Sequence, residues 1–288
     1  MSVRMIQDRL SDYGCRSALE EEQALREITQ EVVLAALGRT DFFTRAAFQG
    51  GTCLRIFHGL PKFPEDLDFA LANADSGFQL GPYLEAVAVE LTAYGYALEI
   101  DNRDAAGAVR MGFLKDNSLG GLLRLGYRPS TGPMRKIRIK LEVDTNPPAG
   151  ARYDTAILDF PFASAVRLFD LPSLLAGKIH ALLCREYTKG RDWYDFIWYA
   201  ARKIAINHTL LSASLDQLGP WAGHGIATDD AWCGREIGEA IARLDVERAR
   251  EDVRRFVKLA EVGSLDLWSR EFLQNQNRKL TGYPPSGT

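Results

Sequence analysis

Three consecutive segments constrain this chain more than anything else in it. The run Ala46-Ala47-Phe48-Gln49 reads as a strand, the triplet Gly50-Gly51-Thr52 as a turn, and Leu67-Asp68-Phe69-Ala70-Leu71 as a second, buried strand entered through Asp66. Between the triplet and the second strand, Leu54, Ile56 and Phe57 give the spacing of a short helix from Thr52 to His58, ended by Gly59 and Pro61. A glycine turn between strand and helix leaves several backbone N–H groups uncovered. With the helix dipole behind them they suit an anion, phosphate above all. Asp66 and Asp68, two apart on an extended segment, project their carboxylates to one face. Two carboxylates held that close repel unless a divalent cation lies between them, and magnesium, which prefers hard oxygen ligands and bridges phosphates, is the expected occupant. Alone, Gly-Gly-Thr marks only a turn and Asp-x-Asp only a solvated strand end. The information lies in their order, with a helix between them.

The rest of the chain frames this unit. Residues 17–38 read as an amphipathic helix with a Ser17/Glu20 capping box and a stop at Gly38. A helix is expected over 82–93, and strands over 96–101, 108–114 and 121–127. A further strand over 136–144 has Ile137, Ile139, Leu141 and Val143 on one face and Arg138, Lys140, Glu142 and Asp144 on the other. From Ser164 onward the pattern turns helical, over 172–187, 192–203, 208–216, 229–242 and 246–260. The expected fold class is α/β (α+β), with a mixed half over 1–160 and an α-helical half over 161–288.

Composition excludes several classes. The net charge of −3 argues against a protein that coats nucleic acid over its whole surface. It leaves room for the local basic stretch Arg124, Arg128, Arg135, Lys136, Arg138 and Lys140, which reads either as a guide for RNA or as a solvated strand surface. No apolar run reaches the roughly 18 residues that span a bilayer, and no apolar stretch marks a signal peptide. The four cysteines have no metal-ligand spacing, which points to reduced thiols and a cytoplasmic setting. The four histidines and five tryptophans read as structural.

Two further places carry chemistry. Glu142 points away from the packed face of its strand and is the candidate third carboxylate of a phosphoryl-transfer centre, with Asp144 as its substitute. Pairing of Lys140 with Glu142 on an exposed face is the other reading. Lys178 lies in an apolar helical stretch, where a charge needs a partner. Arg185 shares its face, and Asp192 and Asp195, three apart at the start of the next helix, point one way. Either Lys178 contacts nucleotide phosphates with Asp192 holding it, or Arg191 and Asp192 tie two helices together and Asp192 is an N-cap.

Gly50-Gly51-Thr52-x-Leu54, Glu65-Asp66-Leu67-Asp68-Phe69, Lys140-Leu141-Glu142-Val143, Lys178 and Arg191-Asp192-x-x-Asp195, in this order over about residues 25–205, resemble the AbiEii/AbiGii-type nucleotidyltransferase toxins, which include the MenT-type enzymes. The resemblance implies a DNA polymerase β-like core with a mixed sheet and a helical C-terminal region. It implies nucleotide phosphates on Gly50, Gly51 and Thr52, Mg2+ on Asp66, Asp68 and Glu142, and catalytic roles for Lys178 and Asp192, with Lys62, Lys140 and Arg191 as further substrate contacts. It also implies a nucleoside triphosphate substrate, a cognate antitoxin, a role in toxin–antitoxin or abortive-infection systems, and a plausible acceptor in the 3′ end of tRNA. One departure stands out: Lys62-Phe63-Pro64 replaces the family's Arg-x-Ser before the paired acids, so a phosphate contact there lacks arginine's bidentate fork. The alternatives are a catalytically silent module binding a nucleotide or antitoxin, and a transferase placing AMP or phosphate on protein.

Overall fold

A computed structural model describes residues 2–103, 108–116, 123, 125–127 and 137–283. The chain forms two compact units. The first comprises Met1–Gly59, Phe63–Pro147 and Asp154–Leu168; the second comprises Leu60–Lys62, Pro148–Tyr153 and Phe169–Thr288.

The first unit is built on a mixed seven-stranded sheet among the described residues, in the order β3-β4-β5-β2-β1-β7-β6. Its strands are β1 (Ala46–Gln49), β2 (Leu67–Leu71), β3 (Leu98–Arg103), β4 (Val109–Asp116), β5 (Ile137–Asp144), β6 (Tyr153–Leu158) and β7 (Ser164–Phe169). β2 lies antiparallel to β1 and parallel to β5, so the two strands that flank it are those of the glycine turn and of the clean alternation. In β5 that alternation holds: Ile139, Leu141 and Val143 are fully buried, while Lys140, Glu142 and Asp144 are only partly so. Phe69, on the opposite face of β2 from Asp68, sits in an aromatic cluster 4.9 Å from Phe42 and 5.2 Å from Phe48. Burial of each such ring contributes about 1.5–3 kcal/mol and fixes which way β2 faces.

Helices α1 (Ser2–Asp12), α2 (Ala18–Leu37), α3 (Phe42–Arg45), α4 (Gly50–His58) and α5 (Gly81–Thr92) complete this unit. Ser17 caps α2 through Glu20 N, as its capping pattern predicts. The amphipathic expectation for α2 fails, however, because the helix is buried on nearly every side. Several of its polar residues find internal partners: Glu31 in Arg9 at 2.6 Å, Glu27 in Arg55 at 2.9 Å, and Thr29 in the Tyr96 hydroxyl at 3.0 Å. A polar stripe therefore marks a network of partners here, not a wet face.

β6 lies where no element is expected from the sequence, and β7 replaces the helical pattern expected from Ser164 onward and carries the sheet past residue 160. Of the strand expected over 121–127, Leu123 and residues 125–127 lie in bends, coil and turns, and the remainder falls outside the described residues. The basic stretch loses Arg124, Arg128, Arg135 and Lys136 for the same reason. Arg138 is described, stacked 3.9 Å over the Phe113 ring.

The second unit holds α6 (Leu171–Cys184), α7 (Gly190–Arg202), α8 (His208–Gln217), α9 (Asp230–Arg243), α10 (Val246–Arg254), a 3-10 segment (Leu259–Leu267) and α11 (Arg270–Thr281). Asp170 caps α6 through Ser173 N, and Pro172 sits in the first turn. At Gly190 the start of α7 passes so close to α10 that an added Cβ would lie 1.8 Å from the Ala249 carbonyl oxygen. No helix among the described residues is long and apolar enough to cross a membrane, and no disulfide links the described cysteines.

Candidate active site

In the first unit the register of three strands assembles the carboxylates. Asp68 stands opposite Gln49 on β1 and beside Glu142 on β5. Neighbouring strands run about 4.8 Å apart, so Asp68 and Glu142 are adjacent on one sheet face. Asp66 precedes β2 on the same side by the two-residue period. Asp144 pairs in register with Ala70, one step further along. Its Oδ1 accepts from Asn146 N at 2.9 Å, and burial pushes its carboxyl above the usual range. Of the two candidates for the third carboxylate, the register thus favours Glu142.

The glycine turn closes over this group. Gly50 has φ +79°, a left-handed conformation, and a Cβ there would lie 2.6 Å from Asp68 Oδ2. Both observations require glycine. Gln49 caps α4 without a side-chain hydrogen bond, which leaves the first N–H groups of Gly50 and Gly51 directed out of the helix end. Thr52 is buried and does something else: its hydroxyl donates to the Asp66 carbonyl at 2.6 Å and accepts from Glu65 N at 3.4 Å. Gln30 Nε2 donates to the Glu65 carbonyl at 2.9 Å. The backbone that presents Asp66 is clamped from two helices. The Thr52 hydroxyl is thus engaged in a positioning bond.

Lys140 lies among the carboxylates, its Nζ 2.8 Å from Glu142 Oε1 and 3.9 Å from Asp66 Oδ2. Partial burial alone would lower its pKa. The hydrogen bond to Glu142 and the charges of Glu142, Asp66 and Asp68 outweigh that and raise it. A cation is thus already held where the acids converge. Carboxylate oxygens are the hard donors that magnesium prefers. Among the described residues, no three His, Cys, Asp or Glu side chains are gathered closely enough to hold a metal ion as they stand.

In the second unit the other expected residues form a buried charge network. Lys178 Nζ lies 2.7 Å from Asp192 Oδ1 and 2.8 Å from Asp195 Oδ2, and Arg185 Nε lies 3.5 Å from Asp192 Oδ2. Burial opposes ionisation of Asp192, but the charges of Lys178 and Arg185 prevail and hold it down at about 2. Lys189, and not Asp192, is the N-cap of α7, so the capping reading of Asp192 is set aside. Lys62 joins this network: it is 3% exposed and its Nζ lies 2.9 Å from Asp195 Oδ1. Burial lowers its pKa against the pull of Asp195. A lysine so enclosed is an internal counter-ion, not the exposed phosphate contact that its position ahead of the paired acids suggested. Arg191 turns elsewhere, with Nε 3.5 Å from Asp252 Oδ2 and its guanidinium 4.4 Å over the Phe256 ring. That geometry realises the helix-tying alternative for Arg191. Nothing in the sequence pairs Lys62 with Asp195, whose separation is bridged only by folding.

Solved structures of similar fold include JHP933 from Helicobacter pylori, at 14% identity and TM-score 0.53 with 91% of each chain covered. MenT4, a nucleotidyltransferase toxin from Mycobacterium tuberculosis, gives 16% identity and TM-score 0.54, covering 99% of this chain and 91% of that one. No curated protein matches the sequence. Residues 32–274 match the family described as nucleotidyl transferase AbiEii toxin of type IV toxin–antitoxin systems. With most of its length matched, the chain belongs to the AbiEii nucleotidyltransferase toxin family.

Proposed function

We propose that this nucleotidyltransferase moves a nucleoside monophosphate from a triphosphate to an acceptor hydroxyl, breaking the bond between the α- and β-phosphates and releasing pyrophosphate, with the 3′ end of tRNA as acceptor and Asp66, Asp68 and Glu142 as its carboxylate centre. The observation that carries the reading is the register that sets Glu142 beside Asp68 beneath Gly50. The backbone N–H groups of Gly50 and Gly51, at the N-terminal end of α4, receive phosphate oxygens. Thr52 keeps Asp66 in place through its backbone carbonyl. Magnesium held by the three carboxylates would neutralise charge on the transferring group. Glu142 takes the proton of the attacking hydroxyl, and Lys140 exchanges its bond to Glu142 for a phosphate oxygen. Lys178 and Asp192, ion-paired within the helical unit, fill the late lysine and aspartate positions of the family resemblance. A toxin of this family works against a cognate antitoxin, and the nucleoside triphosphate is its substrate.

The test incubates the protein with total tRNA, magnesium and each α-labelled triphosphate in turn, beside Asp68→Ala. Label on RNA that disappears in the variant supports the reading and names the base. Label on protein alone keeps the chemistry and changes the acceptor. No label with any triphosphate, in folded protein, sinks the proposal.

A further inference from the structure

The helical unit contains a cavity of about 270 Å3 where the end of α6, the link to α7 and the end of α9 meet. Arg185, Lys189 and Arg243 line it together with Glu186, Asp192 and Tyr187. We infer that this cavity holds one nucleotide of a single-stranded RNA acceptor, its base on Tyr187 and its phosphate among the three cations. The inference deepens the function proposed above and rests on it for the acceptor's role.

Three features support a nucleotide in a strand. Tyr187 is 62% exposed although large and apolar, and its ring lies 5.4 Å from the Arg185 guanidinium, which also bonds its hydroxyl at 3.3 Å. An exposed aromatic beside arginine is the usual stacking platform for single-stranded nucleic acid. The volume lies below the roughly 300–1,000 Å3 of pockets for drug-sized ligands, which suits one nucleotide and no folded RNA element. The charge decides between an RNA strand and a free triphosphate. Three cations against two carboxylates leave a surplus of one positive charge. That matches a single phosphodiester and falls well short of a triphosphate. Arg243 reaches the rim with its side chain 75% exposed and a long contact to Glu239, at 3.9 Å.

The experiment measures fluorescence anisotropy of a labelled single-stranded RNA of about ten nucleotides and, separately, ATP binding with magnesium. Tyr187→Ala should weaken RNA binding about tenfold, while Tyr187→Phe retains it, because stacking needs the ring and not the hydroxyl. Arg243→Ala should weaken it and lower its salt slope by about one phosphate contact. ATP binding should be unchanged in all three. Both residues are exposed, so the variants keep the fold. RNA binding equal to wild type in Tyr187→Ala and Arg243→Ala overturns the inference, as does loss of ATP binding with RNA binding intact. Absence of nucleotidyl transfer with RNA binding still sensitive to Tyr187 removes the proposed reaction and keeps the pocket. Transfer to protein with no RNA binding does the reverse.

Discussion

Lys62 Nζ lies 2.9 Å from Asp195 Oδ1, and both side chains are almost wholly enclosed. Asp195 is also paired to Lys178, so one buried carboxylate is shared by two ammonium groups from distant parts of the chain. Lys62→Met leaves Asp195 with one of its two partners. The expected cost is about 3–5 kcal/mol, read as a lowered urea midpoint. The double change Lys62→Met, Asp195→Leu should be less destabilising than the sum of the single changes, because it removes the stranded charge. Additive losses would show that the pair is not coupled.

Gly50→Ala should impair activity far more than stability. The left-handed backbone costs about 1–2 kcal/mol for a residue with a Cβ. That Cβ also meets Asp68 Oδ2 at 2.6 Å, so the carboxylate must shift. Misplacement of a reacting group by about 1 Å can cost on the order of 100-fold in rate. Single-turnover transfer and thermal melting separate the two effects.

Glu142→Gln and Asp144→Asn discriminate the third carboxylate. Glu142 neighbours Asp68 in the register, whereas Asp144 neighbours Ala70 and is occupied by Asn146 N. Transfer should fall by at least about 100-fold in the first and stay within a few-fold in the second. The opposite pattern would move the centre one step along β5.

Thr52→Val keeps the shape of the side chain and removes its hydroxyl. It leaves the Asp66 carbonyl without that donor, at about 1–3 kcal/mol. Thr52→Ser should keep both stability and activity. Loss in Thr52→Ser with none in Thr52→Val would point to the methyl group instead of the hydrogen bond.

Acid should loosen the helical unit in a defined window. Asp192 falls from an ordinary 3.8 to about 2 in the fold, against the effect of burial, through Lys178 and Arg185. A depressed carboxyl stabilises the fold fully above its unfolded pKa and loses that contribution as pH falls toward its folded value. About 2 kcal/mol should therefore disappear between pH 4 and pH 2. Asp192→Asn should flatten that part of the stability–pH curve, followed by denaturant unfolding at each pH.

Local pattern alone determined the strand β2, the β5 alternation, the helix after the glycine turn and the Ser17 cap, because each depends on residues a few positions apart. It also placed Asp66, Asp68 and Glu142 on one class of surface, since the two-residue period of an extended chain is a local property. What the tertiary structure decided is which neighbours those residues received. The parallel pairing of β2 with β5 put Glu142, and not Asp144, beside Asp68. Folding turned the polar stripe of α2 inward onto partners, committed Thr52 to the Asp66 backbone, and buried Lys62 against Asp195. β7 was not legible locally because its extended form depends on pairing with β1. A charge that chooses its counter-ion across more than a hundred residues is settled by the packed chain and by the cost of leaving either charge alone.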